Sequence, residues 1–371
     1  MIWSIPVLQD ATIYESDPYR NAGLDPVLEL RKDGDVVNET LTESRILIKF
    51  DTSNLSSILS ENSVNINSVT ASLKLYTVQE SELPNSYTIE AYAIGTNWEN
   101  GSGYSTYPSG LIVSGSVTDG ATWLEPKNSS LVSWSGSLSL NTTASFYSNP
   151  VGGGIYYTGS ITTQTFNYKT QSELDINVSS IVKNWYNSVY NNNGILLKFD
   201  RATLIKENSP ETNLQFYAAE TNTIYEPQLY ISWPTTSTYS SGSLTVMTIN
   251  DNAIMYTNAF KGEFRKDVKC RVNLAVRPKY PRPAFTQNSI YSIAKALPEN
   301  SYYQIKDAHN DKIIIPFSKA TKITTISGSS YFDFYSTMMY GERYYKFEIK
   351  TEFNGINEYF DSNEFTFKII N

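Results

Sequence analysis

Hydrophobic and polar residues alternate over short runs through the first two thirds of the chain, a pattern that is typical of half-buried β-strands. The clearest runs are residues 46–50, 69–78, 87–94, 194–200 and 227–233. Gly, Pro, Asn and Ser residues separate these runs and supply the turns. Many short strands at this spacing predict an antiparallel β-sandwich or a jelly roll.

One segment of this region has helical spacing instead. Its apolar residues recur at i, i+3, i+4 and i+7, which places them on one face of a helix: Val178, Ile181, Val182 and Trp185. Asp175 or Asn177 is available as the N-cap. The preceding span, residues 96–170, is rich in Gly and Ser with scattered Trp and Tyr, and it predicts long surface loops pinned by aromatic side chains.

An uncharged stretch rich in Pro, Ser, Thr and Gly, residues 232–246, marks a domain boundary. Alternation resumes after it, and the length of the remaining chain fits an Ig-like β-sandwich. We therefore expect an all-β protein in three parts. These are a jelly-roll-like β-sandwich with one helix over residues 1–233, a linker over 234–246, and a C-terminal β domain over 247–371 that serves in docking or interaction.

The composition agrees with a folded globular protein, because 40% of the 371 residues are hydrophobic and 18% are charged. The 28 Tyr against 5 Met favour strands over helices. No apolar run approaches the ~18 residues that a membrane-spanning helix needs, and the first residues lack the basic and apolar regions of a secretory signal. We therefore expect neither membrane insertion nor signal-dependent secretion.

The sequence offers few side chains for catalysis or metal binding. Its one Cys, Cys270, lies in a strand-like run, and its one His, His309, lies in a polar segment that predicts a hairpin turn. Zinc sites and Ser–His or Cys–His catalytic groups draw on several such residues. We expect no catalytic residue, no metal site and no cofactor, with a structural calcium ion left open. A glycoside hydrolase is a further alternative, which needs two carboxylates from a set of four candidates: Glu99, Asp119, Glu125 and Glu220.

The formal net charge of −8 is unevenly distributed. Residues 1–243 carry 12 Lys and Arg against 24 Asp and Glu, whereas residues 244–371 carry 17 against 13. Eight basic residues of the second part fall in one stretch and are candidates for contact with an acidic partner: Lys261, Arg265, Lys266, Lys269, Arg271, Arg277, Lys279 and Arg282. Simple alternation on a solvated strand face is the other interpretation. A domain this weakly basic is not expected to bind nucleic acid.

The first part of the chain resembles the DNRLRE domain family in an ordered set of motifs. The set covers residues 5–233 and includes DATIYESDPYRNAG (10–23), SRILIKFDTSNL (44–55), NWENGSGYS (97–105), ATW (121–123), DINVSSIVKNW (175–185) and FYAAETNTIYEPQLYISW (216–233). The resemblance implies a jelly-roll-like sandwich, similar to carbohydrate-binding modules, on microbial surfaces or viral particles and without catalytic activity. Ala218 and Ala219 stand where this family has a Ser before the Glu.

The second part resembles the C-terminal module of virion structural proteins from T4-like marine phages. The segments that carry this resemblance are KYPRPAF (279–285), LPENSYYQIKDAHNDKIIIPF (297–317), SYFDFYSTMMYGERYYKFEIKTEF (330–353) and the terminal FKII (367–370). Phage proteins reach the exterior by lysis, so the missing secretory signal agrees with a virion.

Sugar recognition is a second activity that the first part could carry. It needs an aromatic platform for the apolar face of a sugar and polar side chains for its hydroxyl groups. Trp98 and Trp123 belong to the family pattern and are expected in the core. Tyr104, Tyr107 and Trp134 are therefore the candidate carbohydrate-binding residues, with host surface glycans as the candidate ligands.

These observations lead to one expected function and one alternative. We expect a non-enzymatic structural protein of a tailed bacteriophage virion, as a tail, neck, baseplate or capsid accessory component. Its C-terminal domain would dock to neighbouring virion proteins while the sandwich projects or reinforces, and the chain would form a homo-oligomer or symmetric ring. The alternative is a carbohydrate-binding adhesion module of a cell surface.

Overall fold

A computed structural model describes residues 1–34, 41–81, 83–104, 119–127, 134, 146–148, 152–167, 173–205, 212–257, 260, 262–280 and 294–371. The chain divides into two compact units. The first unit is Ile5–Ile231, and the second combines Met1–Ser4 with Ser232–Asn371. Both are built from strands, so the all-β prediction is confirmed.

The first unit is formed around twelve strands: β1 (Ile2–Tyr14), β2 (Val27–Asp33), β3 (Thr42–Phe50), β4 (Thr70–Leu75), β5 (Thr77–Ser81), β6 (Ser86–Ile94), β7 (Phe146–Ser148), β8 (Ile155–Asn167), β9 (Leu174–Asn177), β10 (Ile195–Phe199), β11 (Thr212–Tyr217) and β12 (Gln228–Ser232). The unit boundaries fall inside β1 and β12. The main path of pairing is β7-β8-β6-β10-β3-β1-β12-β4-β9, and β11 joins β2 to β5 beside it. Each run predicted as a strand overlaps these elements, and the run 69–78 is divided between β4 and β5.

The central strands of this unit are buried on both faces. Ile46 and Ile48 of β3 point to one side, while Leu47 points to the other, and all three are fully buried. On the Leu47 side, a cluster formed by three tryptophans, Trp98, Trp123 and Trp134, covers the sheet. Because the tryptophan cluster buries this second face of the sheet, the central runs are almost continuously apolar rather than strictly alternating.

Three short helices accompany the strands in the described part of the first unit: α1 (Leu55–Glu61), α2 (Ser179–Tyr186) and α3 (Arg201–Leu204). Helix α2 confirms the helix predicted from the sequence, because Ile181, Val182 and Trp185 are buried on one face. Its N-cap residue is Val178, and the side chain of Asn177 accepts a hydrogen bond from the Ser179 N–H at 3.0 Å.

The prediction of surface loops throughout residues 96–170 is wrong in its last part. Strand β8 runs for thirteen residues there and pairs antiparallel with β6, from Ser86 opposite Asn167 to Ile94 opposite Tyr156. Thr and Ser occupy many of its positions, so its apolar signal is weak in the sequence.

The second unit contains ten strands in the described residues: β13 (Tyr239–Ser240), β14 (Ala253–Thr257), β15 (Glu263–Arg265), β16 (Lys269–Pro278), β17 (Ser301–Asp307), β18 (Ile313–Ile315), β19 (Thr324–Ile326), β20 (Ser329–Tyr335), β21 (Tyr344–Phe353) and β22 (Ile356–Ile370). They form two five-stranded sheets, β13-β19-β20-β16-β14 and β15-β22-β21-β17-β18. Residues 234–246, which the sequence predicts to be a linker, lie within this unit, and Tyr239–Ser240 pair in parallel with β19.

Aromatic rings fill the space between these two sheets. Phe332 of β20 lies 5.1 Å from Phe347 of β21, and Phe334 lies 5.8 Å from Phe367 of β22, between ring centroids. The sheets therefore form a sandwich. His309 is exposed in the turn of the β17–β18 hairpin, as predicted, and its N–H donates to the carboxylate of Asp307 at 2.8 Å.

In the described residues, no helix combines the length and the apolar character that crossing a membrane requires.

Candidate functional site

The basic stretch of the second unit borders a groove of about 390 Å³. The groove lies between β14, β15 and β16, where an edge of each sheet comes close to the other. Phe260, Phe264 and Val272 supply apolar lining. Phe264 packs edge-on against Phe334 and Phe367, both at 5.4 Å between centroids, so the groove floor is continuous with the core.

Three of the eight predicted interaction residues line this groove: Arg265, Lys269 and Arg271. All three side chains are exposed. Lys266 follows Arg265 directly in the turn between β15 and β16 and is also exposed. One acidic residue, Glu263, shares the lining. The groove thus combines an apolar floor with a predominantly basic rim.

The basic residues of the rim differ in how far their charge is neutralised. The guanidinium of Arg271 forms two hydrogen bonds to the carboxylate of Asp333, at 2.7 and 2.9 Å, and Lys269 lies 3.8 Å from the same group. Within the described ranges, neither Arg265 nor Lys266 forms an ion pair with a carboxylate. The turn that carries Arg265 and Lys266 also carries the exposed Asp267, so it contributes two positive charges and one negative charge to the rim.

A buried hydroxyl group holds this turn in place. The Ser336 hydroxyl lies 2.8 Å from the carbonyl oxygen of Arg265 and accepts the N–H of Val268 at 3.0 Å. The Ser336 N–H also donates to the carbonyl of Val268 at 3.0 Å. Because Ser336 is fully buried, these bonds are protected from water and give Arg265 and Lys266 a fixed backbone.

The remaining basic residues lie elsewhere. Arg277 and Lys279 are at the far end of β16 and do not line the groove. Lys261 and Arg282 lie outside the described residues. The sequence did not reveal Asp333 as the partner of Arg271, because this pairing depends on the register between β16 and β20.

Cys270 also borders the groove but is a poor nucleophile. Burial raises the pKa of its thiol to about 11, so the thiol is protonated at neutral pH. The residue packs as a small apolar side chain.

The three aromatic residues predicted to bind carbohydrate have different outcomes. Trp134 is buried in the tryptophan cluster of the first unit, and its indole N–H donates to the carbonyl of Thr122 at 2.9 Å. It presents no ring face to a ligand, so its prediction as a platform is wrong. Tyr104 is 47% exposed and stays a prediction, while Tyr107 lies outside the described residues. Trp98 and Trp123 are in the core, as predicted.

Three of the four carboxylates considered for glycoside hydrolysis have neighbours that account for them. Glu220 lies beside the buried carboxyl group of Asp10. Asp119 accepts a hydrogen bond from the hydroxyl of Ser102 at 3.0 Å, and Glu99 lies 3.9 Å from the ammonium group of Lys127. No cluster of three or more His, Cys, Asp or Glu side chains suited to a metal ion occurs among the residues that the structure describes.

The carboxyl group of Asp10 in β1 is almost completely buried beside the start of the β11–β12 connection. It accepts the N–H of Ala219 at 2.7 Å. Burial, followed by the charge of Glu220, raises the pKa of Asp10 well above its ordinary value. Both effects favour the protonated form of Asp10 over the charged form.

We expect Asp10→Asn to change how stability depends on pH. Because the pKa of Asp10 is higher in the folded state than in the unfolded state, its titration lowers the free energy of unfolding as pH rises above about 4, by at most about 1.4 kcal/mol per pH unit. Asn can still accept the N–H of Ala219 and does not ionise. Urea unfolding at several pH values between 4 and 7 measures this effect. The free energy of unfolding of the variant should increase relative to that of the wild type as pH rises.

Asp51→Asn is the matched control. Hydrogen bonds from Ser53 lower the pKa of the exposed Asp51 carboxylate, so its removal should act in the opposite direction and cost stability at neutral pH. If the free energy of unfolding depends on pH in the same way in the wild type and in Asp10→Asn, the raised pKa of Asp10 is contradicted.

Comparisons with protein-family models, with curated proteins and with solved structures give no significant match to this chain. The family resemblance therefore rests on the sequence motifs alone.

Proposed function

We propose that this chain is a non-enzymatic structural protein of a tailed bacteriophage virion, whose second unit docks to a neighbouring virion protein through the basic groove. The ordered motifs of residues 5–233 and the phage-like motifs of the second unit support the particle assignment. The groove supports the docking role, because it combines apolar area with unneutralised charge.

The single observation that carries the proposal is the position of Arg265 and Lys266. Both are exposed on a turn fixed by Ser336, beside the phenylalanine floor of the groove. A binding site of this kind favours an acidic partner segment with an apolar side chain that fills the groove. In the described part of the chain, β14 and β15 are edge strands, which favours a segment in extended conformation.

The absence of catalysis is part of the proposal. Burial raises the pKa of the Cys270 thiol to about 11, and the carboxyl group beside Glu220 is that of Asp10, which is buried away from any substrate. These side chains serve packing and local hydrogen bonding.

The docking role is tested by adding the purified chain back to particles of a phage strain that lacks its gene. Reversing the charge of the turn with Arg265→Glu and Lys266→Glu should weaken binding to the particles about tenfold or more, because opposite charges across an interface become like charges. Binding of the wild type should also weaken as salt is raised. Particle-bound protein is measured after sedimentation.

Arg277→Glu with Lys279→Glu is the matched control, since it reverses two charges of the same stretch outside the groove. It should bind like the wild type. If both double variants lose particle binding equally, the effect is one of general charge and docking through the groove is rejected. Docking through the groove is also rejected if Arg265→Glu/Lys266→Glu binds the particles as well as the wild type. Thermal unfolding of each variant verifies the fold.

A further inference from the structure

Four tyrosines of the first unit gather on the outer side of its sheet. We refer to Tyr76, Tyr217, Tyr225 and Tyr230 as the tyrosine surface. The rings of Tyr76 and Tyr225 are 5.2 Å apart between centroids, those of Tyr217 and Tyr225 are 5.3 Å apart, and the hydroxyls of Tyr76 and Tyr230 are 3.5 Å apart. All four residues are half-buried. They form one continuous aromatic area.

Strand alternation directs these tyrosines away from the core. Leu73 and Leu75 of β4 are fully buried, and Tyr76 follows them on the opposite face. In β12, Leu229 and Ile231 are buried on either side of Tyr230. The rings are therefore not needed to fill the core, and each of the four tyrosines is partly exposed to water.

Backbone hydrogen bonds fix the arrangement. The N–H of Tyr217 donates to the carbonyl of Tyr76 at 3.1 Å, which holds the end of β11 beside the end of β4. Tyr225 lies in the following loop, where its N–H donates to the hydroxyl of Thr223 at 3.2 Å. A surface that is ordered before binding loses little conformational entropy when a ligand binds.

Polar groups that can bind hydroxyls surround the rings. The ammonium group of Lys74 lies 5.2 Å from the Tyr76 ring centroid and 3.7 Å from the carboxylate of Glu173. Asp175 is exposed on β9 directly opposite Lys74 in the strand register. Donors and acceptors are thus both present beside the aromatic area.

We propose that the tyrosine surface binds an uncharged carbohydrate, with the apolar face of a sugar ring on Tyr225 and its hydroxyl groups on Lys74 and Glu173. Aromatic area beside paired donors and acceptors suits a molecule that has one apolar face and a rim of hydroxyls. The acidic residues Glu173 and Asp175 disfavour nucleic acid, whose phosphates need basic contacts. This inference stands on the first unit and is independent of the groove.

The test is a titration of the full chain with four neutral oligosaccharides, cellohexaose, maltohexaose, xylohexaose and chitohexaose, followed by calorimetry and tyrosine fluorescence. We expect at least one of them to bind with a dissociation constant of about 1 mM or lower. Tyr225→Ala should weaken that binding about tenfold or more. The double variant Lys74→Met/Glu173→Gln should also weaken it, while its thermal unfolding midpoint stays within a few degrees of that of the wild type.

Tyr19→Ala is the matched control, because Tyr19 is 79% exposed in the same unit and outside the tyrosine surface. It should bind sugar like the wild type. The proposal is overturned if none of the four oligosaccharides binds, if the Tyr225 and Lys74/Glu173 variants bind as well as the wild type, or if a single-stranded DNA oligonucleotide competes for the same residues.

Discussion

Replacing Trp134 with alanine is expected to lower the free energy of unfolding of the first unit by about 3–5 kcal/mol. The Trp134 side chain is 1% exposed and packs in one cluster with Trp98 and Trp123. Its removal leaves a cavity within this cluster and deprives the Thr122 carbonyl of its indole donor. Urea unfolding followed by tryptophan fluorescence measures the loss.

Tyr104→Ala is the control for this prediction. Tyr104 belongs to the same polar region of the sequence but is exposed, so its removal should change the free energy of unfolding by no more than about 0.5 kcal/mol. A Trp134→Ala protein that is as stable as the wild type and has lost sugar binding would restore Trp134 as a surface platform and refute the packing described above.

Replacing Arg45 with methionine is expected to cost about 3–5 kcal/mol, because it leaves a buried carboxylate without its charge partner. The Arg45 guanidinium forms an ion pair with Glu43, donates to the carbonyl of Gly153 and lies 4.8 Å from the Trp123 ring centroid. Only 10% of the Glu43 side chain is exposed, so water cannot replace the guanidinium. The loss is measured by urea unfolding at neutral pH.

The double variant Arg45→Met/Glu43→Gln separates this charge effect from packing. It removes the carboxylate that Arg45→Met leaves unpaired, so it should be more stable than Arg45→Met alone. Equal stability of the single and double variants at neutral pH would show that Arg45 acts through packing alone.

The elements with strong apolar patterns could be predicted from the sequence. The run that contains Ile46, Leu47 and Ile48 predicted β3, and the helical spacing of Ile181, Val182 and Trp185 predicted α2. Strand β8 was missed because only a few of its residues are buried and Thr occupies many of the others. Its position depends on pairing with β6, which is a long-range contact.

The candidate sites were also predictable only in part, because they depend on contacts between residues that are far apart in the sequence. Composition identified the basic stretch, but the neutralisation of Arg271 by Asp333 follows from strand register. Trp134 and Tyr104 occur in similar polar surroundings in the sequence, and only tertiary packing decides that Trp134 is buried. The tyrosine surface joins Tyr76 to residues of a distant stretch, 217–230, although the outward positions of Tyr76 and Tyr230 follow from the alternation of their strands.

Quantitative mass spectrometry of purified particles of the phage that encodes this chain is the most direct test of its proposed role as a virion component. The account predicts that the chain stays with the particles through density-gradient purification, at a fixed copy number that matches a symmetric assembly. Absence of the chain from particles in which the other structural proteins are detected is the result that contradicts it.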